Sequence, residues 1–204
     1  MKTVTVPAIF RTFYPSLLWH MPSGNKKLYL TFDDGPHPEI TPKVLDILDK
    51  YKAKASFFCV GENVVRFPET YQDLIARQHL SGNHSFNHLN GWKTPLNDYY
   101  ENVNLCRNHV DSIWFRPPYG KITPSAIQAL KKEYTIVMWS VLSYDFDAET
   151  TPEQCVDYVI NNADDGAIIV FHDSKKASTN MFHALPVVLE HFSARGYTFE
   201  ALHS

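Results

Sequence analysis

From Lys27 onward, short apolar runs of β-type residues alternate with segments whose apolar residues recur on one helical face. The runs at 28–32, 55–60, 80–83, 113–115, 135–141, 167–171 and 197–200 are bounded by turn residues, and most lack polar alternation, as expected for strands buried on both faces. Between the first two, Val44, Leu45, Ile47, Leu48 and Tyr51 form a one-sided helical stripe. Thr41-Pro42, Thr123-Pro124 and Thr151-Pro152 each set a threonine N-cap before a proline at the first helical position, and Gln154 completes a capping box with Thr151. Gly82 and Gly196 fall where a helix ends and a left-handed residue is wanted. Strands alternating with helices predict a parallel sheet, and about seven of them predict a closed or nearly closed α/β barrel, with an open doubly wound sheet as the competitor. Residues 1–26 read as an extension laid over a single domain, 27–204.

Composition narrows the function by exclusion. A chain of 204 residues with 44% hydrophobic and 20% charged residues is an ordinary globular domain. Its net charge of −3 and scattered basic pairs give no footprint for nucleic acid or an anionic membrane. Cys59, Cys106 and Cys155 lie far apart with no CxxC pair, which argues for buried thiols rather than a disulfide framework or a cysteine metal site. No run approaches the roughly 20 apolar residues of a membrane helix. Pro7, Arg11 and Pro15 interrupt any leader-type apolar stretch, so the default compartment is the cytoplasm. Oligomeric state leaves no mark on the sequence.

The chemistry lies just beyond the strands, because α/β sheets bind ligands at the carboxyl ends of their strands. After 28–32 comes Asp33-Asp34-Gly35-Pro36, and after 80–83 comes His84-Ser85-Phe86-Asn87-His88. Arg116-Pro117-Pro118-Tyr119-Gly120 succeeds 113–115, Asp145 succeeds 135–141, and His172-Asp173 succeeds 167–171. Each piece alone has a bland explanation: two aspartates before Gly-Pro suit a turn, and an HxxxH spacing is weak in a chain with ten histidines. Converging on one rim, two histidines and one aspartate satisfy a zinc-type three-ligand site with positions left for water. An arginine stiffened by Pro117 and Pro118 suits a fixed carboxylate.

Taken together, these residues resemble the polysaccharide deacetylases of the NodB-homology type, carbohydrate esterase family 4. Thr31-Phe32-Asp33-Asp34-Gly35-Pro36 looks like the family's first motif, His84 to His88 like the second and Arg116 to Gly120 like the third. Trp139 to Asp145 is similar to the fourth, and Val170-Phe171-His172 to the fifth. The resemblance implies a distorted (β/α) barrel of about seven parallel strands. It implies hydrolysis of N-acetyl groups from amino sugars of peptidoglycan- or chitin-type glycans, with release of acetate. Asp34, His84 and His88 would hold one divalent ion, zinc first, with cobalt, nickel and manganese as the other candidates. Asp33 would be the general base, paired with Arg116, and His172 the general acid, tuned by Asp145. The Tyr119 backbone N–H would bind the oxyanion, while Val170 and Phe146 would wall the acetyl pocket. Phe146 stands where the family usually has tryptophan, and so loses an indole N–H. Two rival readings are an amidase acting on a small non-sugar amide and a carbohydrate-binding pseudoenzyme.

Overall fold

The computed structural model describes residues 2–22 and 24–203. Met1 and Ser23 of the extension and Ser204 of the domain lie outside the described residues. After α1 (Ala8–Phe13), the order is β1 (Lys27–Asp33), α2 (Thr41–Lys50), β2 (Ser56–Cys59), α3 (Gly61–Arg66), α4 (Pro68–Ala76) and β3 (Leu80–Asn83). Next come α5 (Leu96–Arg107), β4 (Trp114–Phe115), a 3-10 turn (Pro118–Gly120), α6 (Pro124–Leu130), β5 (Thr135–Ile136) and β6 (Val141–Leu142). The chain ends with α7 (Pro152–Ile160), β7 (Ile168–His172), α8 (Ser178–Ser193) and β8 (Thr198–Phe199). The sheet runs β5-β4-β3-β2-β1-β7-β6 with every pairing parallel, and β8 takes Lys27 and Leu28 at the start of β1. Curled with helices around it, this sheet is a distorted (β/α) barrel.

The central strands are apolar on both faces because both faces are covered. In β1 every residue after Lys27 is buried, and β2 is buried throughout. The α2 stripe delivers Val44, Leu45 and Leu48 to the core, and α8 delivers Met181, Leu185, Val188 and Leu189. Thr123 and Thr151 cap α6 and α7, the latter through the full capping box with Gln154. The three cysteines are free and buried.

Three expectations need correction. The run 135–141 is two strands: β5 pairs with β4, β6 pairs with β7, and residues 137–140 carry the chain from one edge of the sheet to the other. The carbonyls of Val137 and Met138 accept hydrogen bonds from the Arg116 side chain and so leave any regular ladder. The extension helps fill that break, with the Leu18 N–H donating to the Ile136 carbonyl at 2.9 Å and the Met138 N–H to the Leu18 carbonyl at 2.7 Å. Thr41 is no N-cap; it lies inside the first turn of α2, where its hydroxyl donates to Asp173 and accepts from the His37 N–H. Gly82 ends no helix; it is the third residue of β3, and the left-handed residue after α4 is Gln78 (φ 60°).

Gly82 is glycine for lack of space. A Cβ there would lie 2.6 Å from the Phe58 ring, and that ring supports the Arg116 guanidinium 4.2 Å from its centroid. Gly82→Ala is therefore expected to destabilise the fold by about 1–3 kcal/mol through overpacking. A lowered midpoint in urea denaturation checks this, and an unchanged midpoint would mean that Phe58 has room to move.

Candidate metal centre and catalytic site

Strand register assembles the site. Asp33 and His172 are partners at the ends of β1 and β7, and Asn83 and Phe115, just before His84 and Arg116, are partners at the ends of β3 and β4. Arg116 is 0% exposed, yet its guanidinium is fully engaged. Nη1 donates to Asp33 Oδ1 at 2.8 Å and to Thr31 Oγ1 at 2.6 Å, and Nη2 donates to the Met138 carbonyl at 2.8 Å. A charge that deep is tolerable only when paired and hydrogen-bonded. The guanidinium therefore fixes the Asp33 carboxylate in place.

Beside it stand Asp34, His84 and His88, whose ligand atoms all lie within 4.8 Å of one another. His88 Nε2 is 3.1 Å and His84 Nε2 3.9 Å from Asp34 Oδ1. Three donors about 2.1 Å from a tetrahedral ion would be about 3.4 Å apart, so the donor set fits one. His84 Nδ1 lies 2.8 Å from the Arg116 carbonyl, which must receive a proton there and leaves Nε2 with a lone pair. Burial, resisted by Asp33 and Asp34, holds His84 down at about 4, neutral as a ligand must be. His88 Nδ1 is similarly placed 3.1 Å from Tyr119 Oη. Burial pushes the Asp34 carboxyl up, but the His88 hydrogen bond and the nearby imidazole charges outweigh it and hold Asp34 below the usual carboxylate range.

Asp34, His88 and Tyr119 all have left-handed backbones, with φ of 77°, 55° and 60°. For residues other than glycine such backbones cost roughly 1–3 kcal/mol and persist where surrounding contacts over-determine them. At Asp34 those contacts close on one peptide group. Asn63 Nδ2 donates to the Asp34 carbonyl at 2.8 Å, and the Gly35 N–H of the same peptide donates to Asp173 Oδ1 at 3.0 Å. Asp173 is 1% exposed, and its other oxygen accepts from Thr41. A Cβ on Gly35 would lie 2.1 Å from Asp173 Oδ2, so only glycine lets the two approach. Burial raises the Asp173 carboxyl to about 7.

His172 faces this group from β7. Asp145 accepts from its ring at Nδ1 and from its backbone N–H, both at 2.7 Å. Burial works against a charged imidazole, but Asp145, aided by Asp34 and Asp33, more than offsets it and raises His172 to about 9. The Phe146 ring meets His172 edge-on at 4.8 Å between centroids. All of this opens onto a cavity of about 450 Å³. Asp33, Asp34, His84, His88, Tyr119, Phe146, Val170 and His172 line it, whereas Arg116 and Asp145 are buried behind Asp33 and His172.

Known proteins resemble this chain over most of its length. The polysaccharide deacetylase family model matches residues 20–136. A peptidoglycan-N-acetylglucosamine deacetylase of Bacillus cereus is 35% identical over 188 residues, covering 89% of this chain and 88% of the relative. The chain belongs to the polysaccharide deacetylase family. A second family member, the peptidoglycan-N-acetylmuramic acid deacetylase PdaA of Bacillus subtilis, is 30% identical across 87% of this chain and 70% of its own. The crystal structure of a peptidoglycan N-acetylglucosamine deacetylase in complex with an N-oxidanyl-benzamide superposes with a TM-score of 0.86 at 26% identity, covering 97% of this chain and 95% of the other. The family is metal-dependent, which agrees with the donor set of Asp34, His84 and His88.

Within this family member, sequence reasoning missed Asn63, and it placed Asp173, Thr31 and Tyr119 at the strand ends without assigning the work of the Asp173 carboxylate or of the Thr31 and Tyr119 hydroxyls. Asn63 carries no local signal, and the work of the other three shows only in the fold, since each acts on a partner distant in the chain. Removing the Asn63 amide frees one side of the 34–35 peptide. Asn63→Ala is expected to weaken metal binding about tenfold, the lower end for outer-shell losses, as read by chelator competition; wild-type affinity would mean that Asp173 alone holds the peptide. For His172, Asp145→Asn removes the charge that keeps the imidazole protonated. If His172 is the general acid, which works protonated, the alkaline limb of the rate profile should move from near pH 9 to lower pH. A limb that stays put would make Asp145 a purely structural residue.

Proposed function

We propose that the protein hydrolyses the N-acetyl groups of amino sugars in glycans, releasing acetate and a free amine, with zinc as the working ion. One observation carries the reading. A single cavity is lined by a trio of possible metal donors, a carboxylate paired with a buried arginine and a histidine kept charged by a second carboxylate. Asp33 accepts the proton of the attacking water, with Arg116 holding the carboxylate in place through Oδ1. His172 delivers a proton to the departing nitrogen, which would otherwise leave as an unstable anion. The Tyr119 N–H serves the oxyanion. Phe146 and Val170 give the acetyl methyl an apolar wall and keep water from it. A divalent ion held by Asp34, His84 and His88 supplies Lewis acidity, lowering the pKa of water and polarising the carbonyl. Two imidazoles and one carboxylate favour zinc among common ions.

N-acetylglucosamine or N-acetylmuramic acid units of peptidoglycan, or chitin-type oligomers, are the proposed substrates. The named activities of the relatives, which include a chitooligosaccharide deacetylase of Azorhizobium caulinodans, support that range. Retention of base, acid and all three donors speaks against a pseudoenzyme.

The experiment that tests these roles exploits two adjacent, chemically identical residues. Asparagine is nearly isosteric with aspartate but accepts no proton at neutral pH. Asp34→Asn is expected to lose metal and activity together, with partial recovery at high metal concentration. Asp33→Asn should keep its metal and lose about 10²–10⁴-fold in turnover. Elemental analysis beside acetate release on zinc-loaded protein decides it. Equal metal content in both variants, or an active Asp33→Asn, would refute the division of roles.

A further inference from the structure

A second cavity of about 370 Å³ adjoins the catalytic one, and the two share Gly120, Trp139 and Leu142. Its rings come from two sources: Phe10, Tyr14 and Trp19 from the N-terminal segment, and Trp92, Trp139 and Tyr144 from the loops of the barrel. All of the N-terminal contribution lies outside residues 20–136, the part matched by the family model.

The polar handles of Trp92, Trp19 and Tyr144 are spent inside the protein. Trp92 Nε1 donates to the Ile122 carbonyl at 3.1 Å, Trp19 Nε1 to the Tyr14 carbonyl at 3.1 Å and Tyr144 Oη to the Thr3 carbonyl at 3.1 Å. The groove therefore offers mainly ring faces and edges. Yet it is open, because Trp92 is 65% and Phe10 49% exposed. An exposed tryptophan is ordinarily mobile. This one is tied at its indole nitrogen and again at its backbone, where the N–H donates to Asn90 Oδ1 at 3.0 Å. Gly120 (φ 64°) keeps the junction tight, since a Cβ there would lie 2.4 Å from the Trp139 ring.

A held aromatic face open to water suits a ligand with an apolar face and a wettable edge. A sugar ring is such a ligand, with C–H groups to lay on the rings and hydroxyls to turn to solvent. The volume is in the range of small-ligand sites. Continuity with the catalytic cavity says which sugar it is: a polymeric substrate must run on past the unit being hydrolysed.

We propose that the aromatic groove built by the N-terminal segment and Trp92 is a further sugar subsite, binding another ring of the same glycan. This inference rests on the deacetylase reading above. Binding energy from such a remote ring raises the efficiency of long substrates over truncated ones.

The test is a ladder of β-linked N-acetylglucosamine oligomers, from dimer to hexamer, with acetate release measured on the zinc-loaded full chain. Wild-type kcat/KM should rise with length. Trp92→Ala and Phe10→Ala should each lower it roughly three- to tenfold for long oligomers, the size of one lost ring contact, while the dimer rate stays near wild type. Trp92→Phe, which keeps a ring, should retain most of the gain. Variants that act equally at every length, or at none, overturn the subsite while leaving the deacetylase reading intact. An effect confined to glycan strands carrying stem peptides also overturns it, in favour of a peptide occupant. Wild-type protein releasing acetate from no oligomer would instead count against the deacetylase reading itself.

Discussion

The rest of this structure depends on one buried charge. Arg116 sits inside the barrel with no exposure, and withdrawing a guanidinium from water costs several kcal/mol even after relaxation. That cost is offset only if its donors meet acceptors in fixed geometry. Asp33, Thr31 and the carbonyls of Val137 and Met138 supply those acceptors, and the Phe58 ring supplies a face. Satisfying the arginine thus ties β1 to residues 137–138, across the barrel. It breaks the run 135–141 into two strands and pins the Asp33 carboxylate against the cavity. The fold and the cavity beside it draw on the same ion pair.

Around that pair, four aspartates share one rim and perform different work. Their chemistry is identical, so neighbours decide. Asp33 has the guanidinium. Asp34 has the His88 hydrogen bond and the charge of His172, which with the other imidazoles outweigh burial and keep it ionised and ready for a cation. Asp145 has the ring and backbone of His172. Asp173 has no cation, only the Gly35 N–H and the Thr41 hydroxyl, and burial raises it to about 7. It serves by holding the peptide that presents Asp34. Strain at Asp34, His88 and Tyr119 collects in the same few ångströms, as expected where aiming a side chain takes precedence over backbone comfort.

The N-terminal segment is bound into the same arrangement. Leu18 fills the gap that the arginine opened between β5 and β6, and Val4 accepts from the Leu142 N–H. By seating there, the segment brings Phe10, Tyr14 and Trp19 to a groove beside the catalytic cavity. A local break in strand pairing is thereby converted into a surface next to the reacting centre.

The sequence by itself determined the alternation of strands and helices, the barrel class, and which residues stand at strand ends. These are set by periodicity, capping chemistry and motif order, all properties of neighbouring residues. The caps at Thr123 and Thr151 were legible for that reason, as were the five motif segments. Tertiary structure alone decided the rest. Thr41 resembles its two cap counterparts in sequence, yet Asp173, distant in the chain, claims its hydroxyl. Gly82 looks like a helix stop, but the Phe58 ring of the neighbouring strand makes it glycine. Asn63 stands in no motif, and the motif that holds Tyr119 says nothing of its hydroxyl, because their work is done on partners that only the folded chain brings near. Hydrophobic pattern is written locally along a chain; the pairing of buried polar groups is settled only when distant strands close around them.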